Sequence, residues 1–147
     1  MALELSGDIA GLGKIVQIVR ATDTTQRSTT SNSYVDANIS VTITPQKSDS
    51  KVLVLWFGML VHGGTADYAY VQITDASNNA ISGAENAYIG SGSTSSFYAF
   101  TSIIAYATPA TTSATTYKLR FKALSSGTAQ INNNENTGQM YAIEVAA

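Results

Sequence analysis

A chain of 147 residues without cysteine excludes a disulfide scaffold and any thiolate metal site, and its length suits one domain with a core of its own. Charged residues make up only 12%, about half the usual share, and Ser, Thr, Asn and Gln replace them, which gives a neutral and weakly hydrated surface. A net charge of −2 and a pI near 5.1 argue against nucleic acid as a partner, because a phosphate backbone needs a clustered basic surface.

Apolar residues recur with period two, broken at short intervals by Gly, Asn, Ser and Thr, and helical periodicity is almost absent; this predicts an antiparallel β-sandwich or barrel. Residues 1–13 carry two glycine-bearing stretches and only weak patterning, and read as an N-terminal arm. The start, Met1-Ala2-Leu3-Glu4-Leu5, has neither a basic nor an apolar signal region, so no secretory signal is expected. Residues 14–20, with Ile15, Val16, Ile18 and Val19, form the first firm strand, and Ala21 to Ser33 is a polar loop or weak edge strand. Ile39, Val41 and Ile43 alternate with Ser40, Thr42 and Thr44 until Pro45, which lacks an N–H donor, stops the ladder.

Lys51 to Val61 is apolar on both faces, as expected of a central strand; its apolar run of about ten residues falls short of the roughly 20 that a membrane helix needs, so no membrane partner is expected. Gly63-Gly64 ends it. Tyr68 to Thr74 sets Ala69, Val71 and Ile73 against Tyr68, Tyr70 and Gln72, and residues 75–79 form a hairpin loop. A short strand or two over Ala80 to Ile89 precedes a Gly/Ser loop at 90–96 and a long strand, Phe97 to Ala107, again apolar on both faces. After a Thr/Ala-rich connection, Tyr117, Leu119, Phe121 and Ala123 alternate with Lys118, Arg120 and Lys122. A turn at 125–127, a short strand at 129–131, a polar loop at 132–138 and a closing strand to Val145 complete a jelly-roll sandwich of about eight strands over residues 14–147.

Chemistry is sparse. The single histidine, His62, stands at a strand end with no nucleophile or orienting group beside it in sequence, and reads as structural. Asp75/Asn78/Asn79 and Asn134/Glu135/Asn136 offer oxygen ligands without the spacing of a calcium loop, and read as turns. No phosphate loop, dinucleotide fingerprint or nucleophile elbow occurs, so neither an enzyme nor a cofactor is expected. A glycan hydrolase would need two carboxylates across a cleft, and the ten acidic residues show no such pairing.

Three surface features remain. Lys118, Arg120 and Lys122 either guard a strand against sticking to others or contact an acidic surface or phosphorylated glycan. Tyr68 and Tyr70, with Tyr88 and Tyr98, are either covered by another sheet or serve as an interface or sugar platform. Strands apolar on both faces need a cover that a two-layer sandwich lacks, and a symmetric oligomer would supply it.

Several segments carry a resemblance: Gly13-Lys14-Ile15-Val16-Gln17-Ile18-Val19; Ser40-Val41-Thr42-Ile43-Thr44-Pro45 followed by Ser48 and Lys51-Val52-Leu53-Val54; Thr108-Pro109-Ala110-Thr111-Thr112 with Thr116-Tyr117-Lys118; and Met140-Tyr141-Ala142-Ile143-Glu144-Val145. Together these strand-and-turn patterns resemble tailed-phage virion proteins in which a trimeric β-sandwich is a capsid decoration protein or the tip of a tail fibre. The resemblance implies a homotrimer with the last strand near its axis, so Met140 and Ala142, or Tyr141 and Ile143, would face a neighbour, with Tyr68 and Tyr70 as further interface candidates. It also implies a virion protein assembled in the bacterial cytoplasm. The arm residues Leu3, Leu5, Ile9 and the Gly11-Leu12 step would then contact the major capsid protein. A dozen residues suffice for such a clip but not for a fibre shaft, which favours decoration over the alternative, a receptor-binding tip that recognises a host glycan.

Overall fold

The computed structural model describes residues 14–64, 68–90, 95–124 and 127–147. They hold ten strands: β1 (Ile15–Asp23), β2 (Arg27–Thr29), β3 (Val35–Ile43), β4 (Lys51–Gly63), β5 (Tyr68–Asp75), β6 (Ala87–Gly90), β7 (Phe97–Ala107), β8 (Thr115–Ala123), β9 (Thr128–Ile131) and β10 (Gly138–Val145). Pairing is antiparallel and nested, first strand with last and so on inward: β1 with β10, β2 with β9, β3 with β8, β4 with β7, β5 with β6. A two-stranded ribbon thus wraps on itself, and the further pairs β10–β4, β9–β4 and β8–β5 close it into two sheets. This is jelly-roll topology.

Sheet A has six strands, with β1 and β2 end to end at one edge, β10 and β9 end to end inside them, then β4, and β7 at the far edge; sheet B runs β3-β8-β5-β6. The sequence leads to about eight strands. The two ends of the ribbon each bend once, which splits its outermost pair into β1/β2 and β9/β10; β9 and β10 match the short and closing strands read from the sequence, and β2 is an edge strand within the polar stretch 21–33. The two bends are tied together: Asp23, at the end of β1, accepts a close pair of bonds from Arg27 and a 2.7 Å bond from Asn133 Nδ2 in the β9–β10 loop. Asn133 in turn packs on Gly138, where an added Cβ would sit 2.3 Å from Asn133 Oδ1.

The alternation predicted for β3, β5 and β8 is the one found. Ile39, Val41 and Ile43, Val71 and Ile73, and Tyr117, Leu119 and Phe121 turn toward sheet A, where Val52, Val54, Trp56, Leu60, Met140 and Ala142 meet them. Trp56 folds its indole over Gly58, whose missing Cβ would lie 2.6 Å from Trp56 Cζ2, so the largest core residue fits only because its neighbour is glycine.

One carboxylate is buried with this core. Glu144 points inward from β10 beneath the β3–β4 turn and is fully buried. Its oxygens accept Gln17 Nε2 at 2.6 Å and the backbone N–H groups of Gln46 at 2.8 Å and Lys47 at 3.4 Å, while Gln17 also donates to the Thr44 carbonyl at 2.7 Å. Burial alone would raise the Glu144 pKa, but these donors outweigh it and hold the carboxyl below its ordinary value.

A group depressed in the folded state stabilises fully above its unfolded pKa, and that contribution fades as pH falls through the folded value. Glu144→Gln sets an amide N–H against Gln17 and should cost about 1–3 kcal/mol at pH 7. Urea unfolding at pH 7 and pH 3 checks this: wild type should lose more stability between the two than the variant, and equal losses would contradict the account of Glu144.

Candidate functional site

The side chains of β4 that point away from the core are Leu53, Leu55, Phe57 and Met59. Strand register extends them sideways into rows across sheet A. Ile18, Ile143, Leu53 and Tyr106 form one row; Arg20, Tyr141, Leu55 and Ile104 the next; Thr22, Gln139, Phe57 and Ser102 a third; and Met59 stands beside Phe100. Exposure is 57% for Ile18, 46% for Phe57 and 54% each for Phe100, Ile104 and Tyr106. The Phe57 and Phe100 rings stack, 5.4 Å apart and within 4° of parallel. Four strands at about 4.8 Å and some eight residues at about 3.3 Å make a face of roughly 500 Å², at the upper end of what monomers leave open.

Charge is confined to the rim. Arg20 on β1 lies 5.9 Å from the Tyr141 ring centroid and donates to Gln139 Oε1 at 2.8 Å, and Lys51 starts β4. β7 has no charged residue in its 11 positions, and its outer edge has no strand partner among the described residues. The other sheet edges are blunted. β1 is bulged between Ile15 and Gln17, β3 is irregular between Asp36 and Ser40 with Asn38 at a φ of 53°, and β6 has 4 residues. The unguarded edge therefore borders the apolar face.

Of the residues singled out in the sequence, Tyr141 and Ile143 lie on this face, half-buried. Met140 points the other way; it is fully buried in the chain's own core and has no surface to offer a neighbour. Tyr68 and Tyr70 lie on the outer face of sheet B, so the two halves of the expected interface sit on opposite sides of the sandwich. Lys118, Arg120 and Lys122 are on β8, which is flanked by β3 and β5 and has no edge to guard. Leu3, Leu5, Ile9 and the Gly11-Leu12 step, the whole of the arm, lie outside the described residues, as do most of the 90–96 loop and residues 125–126. Phe57, Phe100, Ile104 and Tyr106 were not singled out, although the two strands apolar on both faces held the signal; what was missing was the phase that tells inner residues from outer.

Little else gathers reactive groups. His62 is fully buried, its ring 6.3 Å from that of Phe97, and neither ring nitrogen has a hydrogen-bond partner among the described residues. A surface hollow of about 400 Å³ between residues 75–82, 106–109 and 115–117 has Asp75 as the one carboxylate in its lining. That group is engaged by the N–H groups of Ser77 and Asn79 and by the Asn79 amide, which together hold it below its ordinary pKa. No cluster of three or more His, Asp or Glu side chains able to hold a metal ion occurs among the described residues.

No protein-family model and no curated protein matches the sequence. Similar solved structures include one of the infectious bursal disease virus Gx strain, at 13% identity and a TM-score of 0.41 over 89% of this chain and 40% of that one. A point mutant of the VP2 protein of infectious bursal disease virus, from derived particles, gives 13% identity and a TM-score of 0.40 over 98% and 40%. The enzymatically active domain of bacteriophage CBA120 tailspike protein 4 gives 14% identity and a TM-score of 0.28 over 88% and 20%. The chain thus spans 40% or less of the length of each, and likeness at this level carries no argument about role.

If the apolar face is covered by association, the melting temperature of the protein should rise with its concentration, since binding to the folded state alone stabilises it. Ile104→Lys and Tyr106→Lys change exposed positions on the edge strand, so at low concentration they should alter stability by no more than about 0.5 kcal/mol. Their melting temperatures should no longer depend on concentration. Thermal scans over a hundredfold dilution series check this; a wild-type melting point that does not move would count against the surface.

Proposed function

We propose that this protein is a virion structural module that assembles as a homotrimer through the outer face of sheet A and binds the head of a tailed phage as a decoration protein. The observation that carries the reading is the apolar face spanning β1, β10, β4 and β7, bordered by an uncharged strand edge. A cyclic trimer would turn three such faces toward one axis and remove them from water, leaving the outer face of each sheet B outward. The last strand, with Tyr141 and Ile143, would line that contact, in keeping with the resemblance of its sequence to trimeric virion proteins.

Trimerisation would also supply the binding mechanism. Once one subunit grips the shell, the other two act at high effective concentration, so weak single contacts add up to firm attachment. Three subunits bridging neighbouring capsid proteins would resist outward pressure from the packaged genome. The arm, with Leu3, Leu5 and Ile9, is the segment proposed to make the grip.

Quantitative mass spectrometry of purified virions tests the role. A copy number that is a fixed, large fraction of the major capsid protein is the expected result. A handful of copies would move the protein to the tail, and absence from the particle would overturn the virion reading. Deleting residues 2–12 should abolish capsid binding and leave the subunit mass of the assembly unchanged; binding that survives the deletion would refute the role of the arm.

A further inference from the structure

Sheet B has a different outer face. Along β3 it is polar, with Asp36, Ser40 and Thr42 exposed, but one end carries an aromatic cluster. Tyr88 of β6, Tyr70 of β5 and Lys122 of β8 stand side by side in one row of the ladder. The rings of Tyr68, Tyr70 and Tyr88 touch one another, with centroids 5.3 to 6.3 Å apart. Tyr34, just before β3, closes the row: Lys122 Nζ sits 4.8 Å from the Tyr34 centroid and 5.1 Å from that of Tyr70. Tyr88 is 60% exposed and Tyr68 36%, so the end of the cluster is open to solvent.

The β8 cations fall into two groups. Lys118 is compensated, with Asn78 Oδ1 at 2.7 Å and Asp36 at 3.9 Å. Arg120 donates to the Tyr34 carbonyl, and neither Arg120 nor Lys122 has a carboxylate at ion-pair distance among the described residues. Glu85, whose carbonyl accepts the Tyr34 hydroxyl at 3.3 Å, turns its carboxylate to the Gly83 N–H at 2.9 Å instead. Burial, reinforced by Tyr70, pushes the Tyr34 hydroxyl up to about 12, so at neutral pH it is an uncharged donor and the charge of the row is that of the cations. Uncompensated positive charge thus coincides with the exposed tyrosines.

The geometry points to a binding site for a carboxylate-bearing saccharide on this end of sheet B. The apolar face of a sugar ring stacks on the exposed rings of Tyr88 and Tyr68, and the acid group meets Lys122. Lys122 is held between two rings before any ligand arrives, so less side-chain freedom is lost on binding. A second copy of this chain is the poorer occupant, because it would bury Lys122 without a counter-charge, and the apolar face lies on the other sheet. Nucleic acid is poorer still, for two cations on a chain of net charge −2 do not track a phosphate backbone. The site does not depend on the structural role proposed above.

The test uses the whole chain and immobilised polygalacturonate, alginate, hyaluronan and polysialic acid, each also after reduction of its carboxyl groups to neutral alcohols. At least one acidic polymer should be retained, and carboxyl reduction, Tyr88→Ala and Lys122→Gln should each weaken retention about tenfold or more, whereas Lys47→Gln, the same charge change away from the row, should not. Failure to retain any of the acidic polymers, equal retention of the reduced forms, or variants within about twofold of wild type would overturn the proposal. The reduction arm needs no variant, so it decides the question even if a substitution impairs folding.

Discussion

A two-layer sandwich buries only the sheet faces that meet each other, and this chain carries apolar residues for three faces. Trp56, Leu60, Met140, Ile73, Leu119 and Phe121 fill the space between the sheets. A second set, Leu53, Leu55, Phe57, Ile104, Tyr106 and Ile143, repeats the same residue types one position out of phase on the far side of sheet A. Full burial of a large apolar side chain contributes about 1.5–3 kcal/mol, and these half-buried or exposed ones forgo part of it. A second protein surface is the simplest way to recover it, and the lack of charge along β7 removes the usual obstacle to one.

The fold places that face on rigid ground. Nested pairing sets β4 in the middle of sheet A, hydrogen-bonded along one edge to β10 and then β9, and along the other to β7 over nearly its whole length. The bends that let the ribbon ends follow the sheet are fixed by the Asp23–Arg27–Asn133 cluster, and the opposite end of sheet A by Glu144 with Gln17 and the β3–β4 turn. Each cluster holds a carboxylate, Asp23 partly buried and Glu144 fully, whose pKa is held low because several donors converge on it despite its desolvation. The rows of Leu, Ile, Phe and Tyr therefore sit on a stretch of sheet held at the bend and at the Glu144 end.

Much of this was legible in the sequence. Strict alternation in β3, β5 and β8 fixed inside and outside, because polar residues such as Ser40, Gln72 and Lys118 mark the outer face unambiguously. The same rule failed where polar markers are missing. In β4, β7 and β10 both faces are apolar, so sequence could demand a cover without saying which residues needed it, and Met140 stood equal to Tyr141 as an interface residue. Edge and centre were not legible either: β7 is as hydrophobic as β4 yet lies at the sheet edge, and the cation-bearing β8 lies inside sheet B. Pairing partners distant in the chain decide those positions, and local pattern does not encode them. Tyr34 entered the aromatic row only through the fold, since its polar surroundings in sequence give no sign of Tyr70 or Lys122 beside it.

The central claim is that the outer face of sheet A meets other copies of the same chain, and the mass of the protein in solution tests it most directly. Sedimentation equilibrium at micromolar concentration should give about 46 kDa, three times the 15.4 kDa of one chain. A single species of 15.4 kDa at the highest soluble concentration would contradict it, leaving the rows from Ile18 to Tyr106 to be explained by a different partner.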